Sequence, residues 1–194
     1  VRGGSWVREA GRAYLKKTTL ENLMEAYGGE RNAAHRYLKF AKKADEEGYG
    51  KVASLFRAAA KAEQIHAANH AEVIRQLKGK AAATIVEPKV GTTAENLKAA
   101  IAGETHEREV MYPGMLARAR ADRARQAMRS FNFARTVEGH HAALYRQALD
   151  NLKQWKGGKK DFYVCTVCGE TVTALDFKKC PTCFVRVAEY VKVN

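Results

Sequence analysis

Glu63-Gln64-Ile65-His66 and Glu138-Gly139-His140-His141 are the stretches of this chain whose residue types and spacing point first to chemistry. On an α-helix, residues i and i+3 share a face, so each E-x-x-H directs a carboxylate and an imidazole the same way, which is half of a metal site. One such quartet is weak evidence, because Glu and His are common on helices. A second, independent signal is stronger. Cys165-Thr166-Val167-Cys168-Gly169 and Cys180-Pro181-Thr182-Cys183 form two C-x-x-C knuckles. Each knuckle offers two sulfurs to one tetrahedral ion, and Gly169 permits the tight turn that aims N–H groups at sulfur. From these residues alone, a zinc ribbon and a single-iron site are equally open.

The elements that must position the quartets are helices. Thr18-Thr19-Leu20-Glu21-Asn22-Leu23 reads as a capped helix start, after which Leu20, Leu23, Tyr27, Glu30, Ala34, Tyr37, Ala41 and Ala44 follow steps of three and four. The glycines of Gly48-Tyr49-Gly50 break that seam. A second seam runs through Val52, Phe56, Ala59, Glu63, His66, His70, Val73 and Leu77. Residues 79 to 92 form a long irregular connection, which predicts parallel packing of the second and third helices, as in ferritin-like bundles. Thr92-Thr93-Ala94-Glu95-Asn96-Leu97 then repeats the first cap almost letter for letter. A third seam carries Leu97, Ala100, Glu104, Glu107 and Met111, with Pro113 predicted to bend the helix just beyond Glu107. The fourth carries Phe131, Ala134, Glu138, His141, Tyr145, Ala148 and Leu152. The chain is therefore two duplicated helical hairpins, whose ligand candidates converge at the centre of a four-helix bundle.

Ionised carboxylates on a bundle seam cost several kcal/mol each unless cations accompany them. Glu30, Glu63, His66, Glu104, Glu138 and His141 all fall on the seams in repeat-related positions, and a Glu from each of two helices plus E-x-x-H from the other two is the donor set of di-iron and di-manganese carboxylate bundles. Oxygen-rich ligands with one imidazole per metal suit iron or manganese, and a redox role favours iron. Glu63 and Glu138 are expected to bridge, with Glu30 and Glu104 terminal. The duplication is imperfect at Glu107, whose counterpart is Ala33, so one metal has a spare carboxylate. Tyr37 and Tyr112 fit as hydrogen-bond donors to ligand carboxylates. His35, His70, His106 and His140 are assigned surface or packing roles. With a di-metal oxidant site beside it, the cysteine module reads as a one-electron Fe(Cys)4 carrier, with zinc as a substitute.

Composition bounds the rest. The chain has 194 residues, and its cysteines lie only between Cys165 and Cys183, which favours metal ligation in a reducing compartment over a disulfide framework. No apolar run reaches membrane-spanning length. The net charge of +13 is spread along the chain, densest at Arg118, Arg120, Arg123, Arg125 and Arg129. These arginines read as a solvated helix corner first, a docking site for an acidic redox partner second and a nucleic-acid contact last, since no aromatics interleave them. The basic segment holding Arg2, Arg8, Arg12, Lys16 and Lys17 is an expression remnant, a processed targeting segment or a basic arm.

In combination, TLENLMEAYGGE, AEQIHAANH, AENLKAAIAGETHEREVMYP, VEGHH, CTVCG and CPTC resemble rubrerythrin from about Tyr14 to the end of the chain. The resemblance implies an all-α, ferritin-like di-iron four-helix bundle at 18–156 and a rubredoxin-like domain at 157–194, preceded by the basic extension at 1–17. It implies peroxidase activity, reducing hydrogen peroxide to water, with electrons from NAD(P)H through a reductase or small redox protein. The family ligands fall on Glu30, Glu63, His66, Glu104, Glu107, Glu138, His141, Cys165, Cys168, Cys180 and Cys183, and one iron exchanges Glu107 for His66 on reduction. Glu107, His66, Tyr37 and Tyr112 are the expected catalytic group. Within one chain the two centres are expected to be too far apart for fast transfer, so a homodimer, head-to-tail or domain-swapped, is expected to close the gap. The cytoplasm is the expected compartment, an organelle if the N-terminus is a targeting remnant. A ferroxidase of ferritin type is the alternative, and a zinc-ribbon nucleic-acid binder ranks third.

Overall fold

A computed structural model describes residues 11–194. The basic extension expected at 1–17 thus lies mostly outside the described residues; residues 11–15 are helical, and Tyr14 packs against the bundle, its carbonyl accepting from Asn22 Nδ2 at 2.9 Å. The bundle comprises α1 (Thr19–Glu46), α2 (Gly50–Gln76), α3 (Thr93–His106), α4 (Tyr112–Ala121) and α5 (Arg125–Asp150). A small sheet follows, of β1 (Phe162–Cys165), β2 (Thr171–Val172) and β3 (Tyr190–Val193), antiparallel in the order β2-β1-β3. No helix among the described residues is long and apolar enough to cross a membrane.

Both hairpins start on the caps read from the repeat. Thr18 and Thr92 each accept the backbone N–H three residues on, and Glu21 and Glu95 accept the cap N–H in return, which satisfies two donors that a helix start otherwise leaves open. Gly48, at φ +78°, closes the turn between α1 and α2. Residues 77–92 run as the predicted crossover and are held on α1 by Asn32, which donates to Thr84 O and accepts from Val86 N.

The third long helix departs from expectation. Just beyond Glu107 the chain passes through a π-helical turn, Glu107–Met111, and Pro113 follows it at the start of α4. The arginine corner lies where α4 turns into α5. There Asp122 accepts from Arg118 Nε at 2.9 Å and Thr19 Oγ1 at 2.7 Å, tying the corner to the start of α1.

Packing divides the bundle into two apolar halves with the carboxylate seam between them. One half centres on Tyr37, Phe40, Phe56 and Tyr145; the other on Leu23, Ile74, Tyr112, Met115 and Phe131. The first also takes in Trp155, Phe162 and Val164, so the cysteine module shares a core with α2 rather than hanging from a free linker. Phe56 is wholly buried, with its ring 5.4 Å from Phe40 and 5.2 Å from Tyr145. Phe56→Ala should therefore destabilise the protein by about 3–5 kcal/mol; urea unfolding measures it, and a loss below about 1 kcal/mol would mean this cluster does not join the module to the bundle.

Candidate metal centres

Glu30 comes from α1, Glu63 and His66 from α2, Glu104 from α3, and Glu138 and His141 from α5, all essentially buried. They fall into two overlapping groups, Glu30-Glu63-His66-Glu138 and Glu63-Glu104-Glu138-His141, and within each group one donor atom per residue lies within 4.8 Å of the others. Glu63 and Glu138 belong to both groups, as bridging carboxylates must.

The imidazoles are oriented from behind. His66 Nε2 donates to the carbonyl of Cys168 at 3.0 Å, which leaves Nδ1 facing Glu138 at 2.9 Å and Glu63 at 3.0 Å. His141 Nε2 donates to Thr171 Oγ1 at 3.0 Å, that hydroxyl donating onward to Gly169 O, and its Nδ1 faces Glu138 at 3.1 Å. Each tautomer is thus set by an outer partner, with Nδ1 turned to the carboxylates. The tyrosines act crosswise between the hairpins: Tyr37 donates to Glu104 at 2.5 Å, and Tyr112 donates to Glu30.

Electrostatics test whether a metal fits. Burial works to raise Glu30, yet the hydrogen bond from His70 and the charge of His66 bring it down to about 2. Burial raises Glu63, Glu104, Glu107 and Glu138 above the usual carboxylate range, and for Glu63, Glu104 and Glu107 neighbouring carboxylates raise them further. Burial opposes charge on His66, but Glu138 overrides it and lifts His66 to about 9; burial alone leads at His141, lowering it to about 4. One carboxylate oxygen each of Glu30, Glu63, Glu104 and Glu107 is enclosed without a hydrogen-bond partner, and Glu138 Oε1 meets His66 Nδ1 alone. Enclosed acceptors with no donors, around two inward-facing imidazole nitrogens, are what a pair of cations would complete. The donor set therefore fits a dinuclear metal centre.

Glu107 stands apart from both groups. It opens the π turn, and that turn explains its asymmetry. Thr18 and Thr92, like Glu30 and Glu104, are 74 positions apart, whereas Tyr37 and Tyr112, Glu63 and Glu138, and His66 and His141 are 75 apart. The extra residue is absorbed between Glu104 and Tyr112, where a π turn accommodates a single insertion. The change of register was present in the sequence and would have located the turn.

Sequence reading also undervalued His70 and His140. His70 is buried, accepting at Nδ1 from Ser130 Oγ at 2.7 Å and reaching the Tyr112 hydroxyl with Nε2 at 3.0 Å, so Ser130, His70, Tyr112 and Glu30 form one polar chain. The repeat pairs His70 with Tyr145, whose hydroxyl is buried without a partner. His140, exposed on its own helix, meets the buried carboxylate of Glu170 at 2.8 Å, and Thr182 donates to that same carboxylate.

The four cysteines form the second group of donors, with Cys165 and Cys183 sulfurs 3.6 Å apart and Cys168 and Cys180 likewise. A hydrogen bond from Cys168 lowers Cys165 to about 5 and correspondingly pushes Cys168 up. Four convergent sulfurs at this spacing fit one tetrahedral ion. The expected separation of the two centres within one chain does not hold. The module seats on its own bundle: besides the His66 bond, Asn69 Nδ2 donates to Val167 O at 2.9 Å and Arg57 Nε to Asn194 O at 2.9 Å. Gly169, at φ +81°, makes the approach; a Cβ there would stand 2.6 Å from His66 Nε2.

A family model described as rubrerythrin matches residues 21–149. Rubrerythrin-2 of Clostridium acetobutylicum is 38% identical over 174 residues, covering 87% of this chain and 92% of that protein. Nigerythrin of Nitratidesulfovibrio vulgaris is 34% identical over 168 residues, covering 86% of this chain and 82% of its own. A solved structure of nigerythrin in a mixed-valence state is similar with a TM-score of 0.84 at 32% identity, over 91% of this chain and 86% of the other.

The charge pattern has a consequence for the metal-free protein. Carboxylates raised in the fold are protonated there after the unfolded chain has ionised, and His66 keeps its proton up to about 9, so both contribute stability that is lost as pH rises. His70 and His141 are lowered and act oppositely only below the ordinary histidine value of 6.5, whereas Cys165, lowered to about 5, acts oppositely up to the ordinary thiol value of 9. With that thiol removed by Cys165→Ser, the Tm of metal-free protein should fall between about pH 6.5 and pH 9, and saturating ferrous or manganous ion should remove the fall. A flat Tm across that range without metal would contradict the buried-carboxylate account.

Proposed function

The chain belongs to the rubrerythrin family, and from that premise we propose that it is a non-haem di-iron peroxidase that reduces hydrogen peroxide to water and is re-reduced through a tetrathiolate iron centre. The family is known for peroxidase activity. The observation that carries the reading is the hydrogen bond from His66 Nε2 to the Cys168 carbonyl, which joins a cysteine module to a dinuclear donor set. Ferritin-type iron handling, the second reading, has no use for that module.

In this proposal Glu30, Glu63, His66 and Glu138 would hold one iron, Glu63, Glu104, Glu138 and His141 would hold the other, and Glu107 would be the carboxylate able to replace His66. Cys165, Cys168, Cys180 and Cys183 hold the single iron, which zinc can replace. When bound, the paired irons supply the two electrons that break the O–O bond, and the tetrathiolate iron passes electrons singly.

The chain's own residues do the rest. Tyr37 and Tyr112 donate to Glu104 and Glu30, fixing the carboxylates that close the site at either side. Glu107, raised by burial and by Glu30 above the usual carboxylate range, is the group assigned to deliver a proton to peroxide oxygen. His66 links the donor set to the module, so a shift of its imidazole is felt at Cys168. The electrons come from NAD(P)H through a reductase or small redox protein, and the cytoplasm is the compartment proposed. A homodimer, head-to-tail or exchanging its first hairpin, is part of the proposal, although seating within one chain already supplies the contact between centres.

Anaerobic stopped-flow mixing of the fully reduced protein with peroxide should give oxidation much faster than with dioxygen, and Glu107→Ala should slow it by about a hundredfold. Equal rates with the two oxidants, or iron turnover that deposits mineral in the protein, would move the assignment to the ferroxidase. Gly169→Ala should push the module off His66 and slow reduction of the dinuclear centre by the tetrathiolate by on the order of tenfold or more. Unchanged transfer in that variant would mean electrons take another route.

A further inference from the structure

The cysteine module has two knuckles and uses only one of them on the bundle. The first gives the carbonyls of Val167 and Cys168 to Asn69 and His66. The second is open to water: Pro181 and Phe184 are exposed, and Cys183 is the one cysteine not fully buried. An electron that leaves at the first knuckle has its shortest way in at the second.

Phe184 is the anomaly on that face. It is 72% exposed, more than any other large apolar residue among the described residues. It also lies at φ +64°, in the left-handed region, at the place in its knuckle that Gly169 occupies in the first at φ +81°. Glycine takes that conformation freely, whereas a phenylalanine strains the backbone. Here the strain has no return within the fold, since the ring joins no apolar cluster and no aromatic pair. A strained, water-exposed aromatic beside a redox ligand is a feature whose use lies outside the chain.

The charge around it says what kind of partner fits. Lys178, Lys179 and Arg186 are exposed, and all belong to the hairpin that carries Phe184: Lys179 and Arg186 pair across an antiparallel bridge, and Val187 N donates to Lys178 O at 3.1 Å. From Phe177 to Val187 the sequence has no acidic residue. None of the three cations makes an ion pair among the described residues; in the arginine corner Asp122 matches Arg118 alone and Arg129 lies over the Phe133 ring. The corner also holds no cysteine. An aromatic anchor on a hairpin with three unpaired cations is complementary to a protein with an apolar spot beside acidic residues.

We propose that Phe184, together with Lys178, Lys179 and Arg186 of the same hairpin, is the docking face for an acidic electron-carrier protein, which reduces the cysteine centre past Cys183. One electron leaves the carrier, which is oxidised, and enters the tetrathiolate centre, which is reduced; no bond is made or broken. The direction of flow rests on the peroxidase reading, while the docking itself does not.

The test is a binding titration of the full chain, its cysteines loaded with redox-silent zinc, with an acidic flavodoxin as probe and amide shifts as readout. Shifts should concentrate on residues 178–187, and affinity should drop steeply with salt. Phe184→Gly should weaken binding by about tenfold, as loss of an aromatic anchor does, with Tm unchanged or raised because glycine relaxes the backbone. Reversing Lys178, Lys179 and Arg186 together to Glu should abolish binding at the same concentrations. Shifts centred on residues 118–129, or full affinity in Phe184→Gly, would overturn the proposal. Peroxide mixing of prereduced wild-type protein is read separately: its failure removes the enzymatic reading and leaves the binding map standing.

Discussion

An ionised carboxylate taken out of water costs on the order of several kcal/mol unless a cation or several donors replace its hydration, and this bundle takes Glu30, Glu63, Glu104 and Glu138 out of water together. The surrounding structure supplies what that burial requires. Tyr37 and Tyr112 each give a hydroxyl proton to one outer carboxylate, and His66 and His141 turn a ring nitrogen to the inner pair. These donors still leave a carboxylate oxygen unmatched on Glu30, Glu63 and Glu104, which cations at the centre would complete. Metal binding and folding stability are therefore one problem in this protein.

The two hairpins answer it unequally. The first gives α1 an unbroken helix with Ala33 beside the site; the second inserts one residue, opens a π turn and brings in Glu107. On the Glu30 side a polar chain runs through Tyr112 and His70 to Ser130, whereas on the Glu104 side Tyr37 is backed by Phe56 and Tyr145. A duplicated scaffold has thus acquired one polar flank and one sealed flank. That difference gives two similar donor groups different surroundings.

The cysteine module depends on the same centre. His66 and His141 need hydrogen-bond acceptors on their outer nitrogens, and the module supplies them as the Cys168 carbonyl and the Thr171 hydroxyl. Gly169 allows the approach because it has no side chain to meet His66. The partner that fixes the imidazoles is thus also the element that can carry electrons, so the docking serves ligand geometry and electron supply at once.

Periodicity and repetition were enough to read the helices, the paired caps, the seam carboxylates and the E-x-x-H halves, because helix faces and capping are local properties of the chain. The spacing of the knuckles likewise gave the tetrathiolate module. His70 and His140 were passed over because their partners, Ser130 and Glu170, are distant in sequence and nothing local marks them. Pro113 drew attention to the stretch beyond Glu107, but the π turn there was legible only in the change from 74 to 75 positions between the repeats. Which donors the chain owns was determined by sequence alone. Tertiary structure decided that Glu63 and Glu138 are shared, that Glu107 stands outside both groups, and that the cysteine module closes on His66 of its own chain. The reason is physical: sharing, exclusion and docking depend on distances between elements far apart in the chain, and only packing fixes those distances.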